Sequence, residues 1–189
     1  MLAETLKKSF DKYFNAPIEA WIEFAAFCEP ITFEKDQIIK PQGSTEKYFY
    51  FIIKGSAGLF LWKETNFVCL DFAFENNACC DYMSLLTRQP TELEVVALEK
   101  SEMIRRSSAN FHILSRKSVG QVIMQMTAEA SFIEKQQQQI ELLTKTAEER
   151  YKILQTKFPD IHQRIAQKHI ASYLGITPQS LSRLRSGSY

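Results

Sequence analysis

Gln179, Ser180, Ser182, Arg183 and Arg185 crowd into one stretch near the carboxyl end, "ASYLGITPQSLSRLRSG" at 171–187. Their side chains share one chemistry. An arginine fork pairs with a guanine edge, a glutamine with an adenine edge, and serine hydroxyls reach phosphate or base. Lys168 adds a cation just upstream, and from Ile161 onward there is no acidic residue. From Thr144 on, eight basic residues face three acidic ones, a net +5 that leaves −4 on the remainder of a chain whose total is +1. A basic segment on an acidic body points to an anionic partner, with a solvated face as the default alternative.

Other chemistries find little support. Cys28, Cys69, Cys79 and Cys80 form no CxxC and no metal-ligand spacing, and an adjacent pair makes a poor disulfide. They are expected to be small buried apolar residues. His112, His162 and His169 are isolated and read as packing or surface histidines. Residues 31–97 hold no histidine, which argues against a metal enzyme built on strands there. No nucleophile–base pair, carboxylate pair or metal set falls in one plausible place, so the chain is expected to be no enzyme and to carry no cofactor. The longest apolar run, Tyr48 to Ile53, is too short to span a bilayer. The charged first dozen residues are unlike a secretory signal, so a cytoplasmic protein away from membranes is expected.

The elements that must hold the carboxyl-terminal residues can be read from spacing. A helix-turn-helix needs a small residue where two helices approach, a turn residue tolerant of positive φ, and apolar positions that close a miniature core. Ile170 and Ala171 suit the close approach, Leu174 and Ile176 flank Gly175 at the turn, and Leu181 and Leu184 supply the second helix. Thr177 is placed to cap that helix and Pro178 to open it. The alternative is a helical corner inside a larger core. Little chain follows the motif to bury it, which favours an exposed reading surface.

Upstream, three regions differ in pattern. Residues 2–27 show helical apolar spacing in two segments divided at Pro17. From Ile31 to about Met103, runs such as "YFYFIIKG", "AGLFLW" and "FVCLDFAF" read as short strands broken by turn residues, hence an antiparallel sandwich or barrel. A short helix near Asn110–Arg116 then precedes a long one, where Val119, Met126, Ile133 and Ile140 recur every seventh residue beside Val122. Such a stripe suits a homodimer seam, although Glu129 and Gln136 interrupt it. A helix packed on its own β domain is the alternative, and both can hold on successive turns. Thr146 and Glu149 have capping-box spacing before "YKILQTKFP".

Helical lead-in, small β domain, long helix and terminal helix-turn-helix, in that order, resemble the Crp/Fnr transcription regulators. The carriers are "KPQGSTEKYFYFIIKGSAGLF", "DYMSLL" and "RIAQKHIASYLGITPQSLSRLRS". The resemblance implies an α+β chain with three parts. A cyclic-nucleotide-binding-like, jelly-roll-like β-roll with N-terminal helices spans 1–118. A central dimerisation helix spans 119–143, and a small DNA-binding domain spans 144–189. It also implies a homodimer on a roughly palindromic duplex and a small-molecule effector. Of the family's base-contacting positions, Gln179 and Arg183 match; Pro178 offers no polar contact. The segment "KFPDIHQRIAQ" leaves little room for the family's β wing, so affinity is expected to depend on dimerisation. A β-roll module that binds a ligand or protein, without DNA, is the alternative.

In cyclic-nucleotide members of that family a short cassette grips the ligand phosphate. Aligned to it, Asp81 stands at the Gly and Tyr82 at the ribose-binding Glu, while Ser84 and Leu85 are in register. Glu92 stands where an Arg neutralises the phosphate. A carboxylate there repels the anion, and Arg88 sits at a turn. Cyclic AMP is therefore not expected to bind in the usual way, and the degenerate pocket of Asp81, Tyr82, Ser84, Leu85 and Glu92 would take another ligand or none. One amino-terminal cysteine does not make an iron–sulfur sensor.

Overall fold

The computed structural model describes residues 2–10, 15–64, 66–110 and 118–186. The short helix expected near Asn110–Arg116 falls almost wholly outside them, as does the side chain of Val119.

Helices α1 (Leu2–Phe10) and α2 (Ile18–Ala25) lead into eight strands: β1 (Glu29–Phe33), β2 (Ile38–Lys40), β3 (Tyr48–Lys54), β4 (Ala57–Lys63), β5 (Asn66–Ala73), β6 (Ala78–Cys79), β7 (Leu93–Ala97) and β8 (Ser101–Ser107). Helix α3 (Tyr82–Thr87) interrupts them between β6 and β7. The strands form two antiparallel four-stranded sheets, ordered β1-β8-β3-β6 and β2-β7-β4-β5. This is the expected antiparallel β-roll.

Strand β3 explains why the apolar run at 48–53 lacks clean alternation. Tyr50 and Ile52 point into the core between the sheets, against Phe33, Val95 and Met103. Phe51 points the other way, into a second core with Leu6, Trp21 and Phe24 of the amino-terminal helices. Phe10 stacks near Trp21 and Phe51, with ring centroids 5.6 and 5.1 Å apart. A strand covered on both faces reads as a continuous apolar run.

At the β3–β4 corner Gly55 adopts φ +103, and a Cβ there would lie 2.3 Å from the Ser101 hydroxyl. Only glycine fits so close an approach.

Helix α4 (Ser118–Thr144) crosses the β-roll. One face is tied to β5: Lys135 pairs with Asp71 at 2.6 Å, and the Gln138 amide donates to the Leu70 carbonyl at 2.9 Å. The other face carries Ile133 and Ile140, which are 63% and 56% exposed. One face of this helix is thus packed on its own β domain while another is left uncovered, as helical geometry permits.

Helices α5 (Ala147–Lys157), α6 (Ile161–Arg164), α7 (Gln167–Tyr173) and α8 (Pro178–Ser186) complete the described chain. Thr146 and Glu149 form the capping box at the start of α5. The miniature core expected for this segment is not self-contained. Tyr151, Leu154, Ile161, Ile170, Leu174 and Leu181 share one continuous core with Phe60, Phe72, Phe74 and Leu98 of the β-roll. Among the described residues, no helix is long and apolar enough to cross a membrane.

Candidate ligand cassette and nucleic-acid interface

Asp81 sits at the amino end of α3, where its carboxylate accepts from the Ser84 amide at 3.0 Å. It is wholly buried, so its charge requires a partner. The partner is Lys40, 2% exposed at the end of β2, whose ammonium lies 3.0 Å from Asp81 Oδ2. Lys40 also donates to Thr91 Oγ1 at 2.9 Å and to the Leu93 carbonyl at 2.7 Å. The Thr91 hydroxyl donates to Asp81 as well.

A second carboxylate backs this pair. Glu46 is buried and accepts from the amides of Lys47, Tyr48 and Asp81 at 3.0, 3.1 and 3.2 Å. Burial pushes its pKa up, and those three amides oppose the shift. Ser84, also buried, accepts from the Glu46 amide at 2.9 Å and donates to the Gln89 carbonyl at 2.5 Å. Asp81 and Ser84 are thus joined in a closed network, with Leu85 buried in the apolar core beside them. Their polar groups are spent on the protein itself.

Glu92 lies apart from them. It is exposed and accepts from the Gln42 amide at 2.7 Å. Arg88, in the left-handed region at φ 58, is exposed at the end of α3. The cavity beside the cassette, about 630 Å³, is lined by Tyr82 and Asp81 but not by Glu92. Sequence reasoning missed Lys40, Thr91 and Glu46. Nothing in a strand written "IIK" signals that its lysine is buried.

At the carboxyl end the expected caps and turn are present. Gly175 takes φ +67 between α7 and α8, and the Ile176 amide donates back to the Ala171 carbonyl at 2.9 Å. Thr177 Oγ1 accepts from the Ser180 amide at 3.1 Å. Arg150 donates to the Leu174 carbonyl at 2.8 Å, satisfying the end of α7. Ile170, Ala171 and Leu181 are fully buried, so α8 is held firmly against α7.

Gln179, Ser182 and Arg183 project from one exposed side of α8, at the three- and four-residue spacing that shares a helix face. Ser180 is half-buried and its hydroxyl is engaged with Thr177 at 3.0 Å. Arg185 belongs to another side: its charge, after burial, helps depress the pKa of His162. His162 in turn meets the Tyr151 hydroxyl at 2.7 Å. Lys168 is exposed on α7, with its ammonium 5.9 Å from the Phe67 ring centre.

The docking of these helices on the β-roll answers to the alternative of a helical corner inside a larger core, but the residues that make it were not identified from sequence. Arg164 of α6 donates to Glu75 at 2.8 and 3.0 Å, to Glu99 at 2.7 and 3.0 Å, and to the Gly55 carbonyl at 3.1 Å. Its guanidinium also lies 4.9 Å from the Phe74 ring centre. Ser172 of α7 accepts from the Cys69 amide at 2.9 Å and donates to the Phe67 carbonyl at 3.2 Å. Strand β5 is an edge strand, and Ser172 satisfies part of that edge.

Residues 30–118 match the family model of the cyclic nucleotide-binding domain. No curated protein matches the chain by sequence. Three solved structures are similar over most of its length. FixK2 from Bradyrhizobium japonicum is 16% identical with a TM-score of 0.70, covering 85% of this chain and 83% of its own. A CooA mutant from Carboxydothermus hydrogenoformans is 15% identical with a TM-score of 0.68, covering 96% and 83%. The c-di-GMP responsive global regulator CLP from Xanthomonas campestris is 13% identical with a TM-score of 0.67, covering 90% and 91%. Residues 30–118 thus carry a cyclic nucleotide-binding domain, and the chain shares its fold along most of its length with these three structures.

Proposed function

We propose that the chain is a sequence-specific, DNA-binding transcription regulator that acts as a homodimer and does not respond to cyclic AMP. The observation that carries this reading is the exposed Gln179–Ser182–Arg183 face of α8, presented by a helix pair with a buried apolar interior. Such a face enters a major groove and reads base edges. The uncovered Ile133 and Ile140 on α4 support pairing with a second copy, because dimerisation removes apolar surface from water. Two α8 helices would then meet half-sites about one helical turn apart.

The cassette supports the negative part of the reading. A cyclic nucleotide's phosphate would meet the carboxylate of Asp81, and Lys40, the cation paired with it, is already committed. Glu92 is directed at Gln42 and supplies no compensating charge.

Selection of bound duplexes from a random pool tests the proposal. A two-fold consensus is expected, bound with an affinity that falls steeply with salt. No enrichment, or binding insensitive to salt, would leave the β-roll module without DNA binding as the function. Isothermal titration with cyclic AMP is expected to give no heat of binding, and micromolar affinity would overturn that part.

A further inference from the structure

We infer that the cavity between the β-roll and α4 is an effector site for an uncharged, largely apolar small molecule. The inference rests on the regulator reading above and names the ligand class that reading leaves open.

The cavity's volume, about 630 Å³, is within the range of small-molecule sites. Its walls are mostly apolar: Leu59, Phe72 and Leu93 from the sheets, Met126 and Phe132 from α4, and Phe158 from the end of α5. The charged side chains that reach its lining are already neutralised. Asp71 pairs with Lys135, Asp81 with Lys40, and Glu134 with Lys157. Among the described residues that line the cavity, a charged ligand would find no counter-ion without breaking one of these pairs, and desolvating it uncompensated is costly.

Two neutral polar groups in the lining have no hydrogen-bond partner among the described residues: the Tyr82 hydroxyl and the Asn77 side-chain amide. They supply one or two neutral polar contacts on a mostly apolar wall, the pattern that orients a neutral ligand. An anionic cyclic nucleotide is the opposite of what this lining selects.

The position of Phe158 gives the site a route to the terminal helices. Its ring lies 4.4 Å, centroid to centroid, from Phe74 of the β-roll. A molecule filling the cavity therefore touches both sheets, with Phe49 and Ala78 from the second, as well as α4 and the end of α5.

Two dyes that differ by one charge test the ligand class on the full chain. N-phenyl-1-naphthylamine is uncharged, and 8-anilinonaphthalene-1-sulfonate is close in shape but carries a sulfonate. Saturable binding of the uncharged dye at one site per chain is expected, with at least tenfold weaker binding of the sulfonate. Cyclic AMP is expected not to displace it. Ser131 lines the cavity from the face of α4 opposite Ile133, so Ser131→Trp fills it and abolishes dye binding, while Ser131→Ala leaves it intact. Absent or unsaturable binding of the uncharged dye, equal affinity for the sulfonate, displacement by cyclic AMP, or unchanged binding in a folded Ser131→Trp variant would each overturn the inference. These titrations contain no DNA, so their failure is distinct from failure of the regulator reading.

Discussion

Arg164→Met removes the charge that joins the terminal helices to the β-roll while keeping an apolar stem over Phe74. The arginine makes hydrogen bonds to two carboxylates and to the Gly55 carbonyl. In a buried setting each charge-assisted bond contributes about 1.5–3 kcal/mol. Here the arginine is 20% exposed and the two glutamates about a third, so solvent screening reduces that considerably. Loss of the cation–π contact adds about 0.5–1 kcal/mol. A net cost of about 2–3 kcal/mol follows, or roughly a 30- to 150-fold increase in the undocked population. The Cys69 amide reports it, because its acceptor is Ser172 on the docked α7. Hydrogen exchange at Cys69 is expected to speed up by that factor, while core amides of β3 and β8 do not change. The Glu75 carboxyl is held below the usual range by Arg164 and the Gly55 amide, against the opposing effect of burial. Its contribution is therefore present at neutral pH and is lost as pH falls through that lowered pKa. An exchange rate at Cys69 within threefold of the parent's would refute the reasoning.

Four further outcomes are expected. Arg183→Ala should weaken the selected duplex by about 1–3 kcal/mol and relax one base position; a uniform loss across sequences would reassign Arg183 to phosphate. If the proposed homodimer forms along α4, Ile133→Glu with Ile140→Glu should convert it to monomer in sedimentation and lower affinity for the selected duplex, without lowering the helix content seen by circular dichroism. Lys40→Met should cost about 3–5 kcal/mol in urea unfolding by stranding buried Asp81, and Asp81→Asn in the same chain should recover much of it. His169 is held at a pKa of about 4, against 6.5 for a free imidazole, by burial between Phe60 and Phe67 and then by Lys168. Because the unfolded chain takes up that proton first, stability is full above about pH 6.5 and declines toward pH 4. His169→Phe should flatten this part of the pH profile, and an identical slope in both proteins would count against it.

Legibility differed sharply between the two ends of the chain. The carboxyl-terminal motif was readable because its demands are local: a cap at Thr177, a positive φ at Gly175, and apolar residues at helical spacing. The cassette was readable only in outline. Asp81, Ser84 and Leu85 were identified, yet Asp81's partner stands in β2, and Glu92, assigned to the same pocket, faces Gln42 instead. The heptad stripe on α4 named Ile133 and Ile140 but gave no sign that Lys135 and Gln138 bind β5 on the other face.

Sequence alone therefore determined the order of elements, the strand-rich middle, the long helix and the polar face of Gln179, Ser182 and Arg183. Each is encoded by periodicity, caps and turn residues that act over a few positions. Tertiary structure decided which charges are spent and which are free. Lys40 and Asp81 are neutralised, Arg164 is committed to Glu75 and Glu99, and Arg183 is left exposed. The physical reason is that the energy of an ion pair depends on distance and dielectric, and both are set by how remote segments pack.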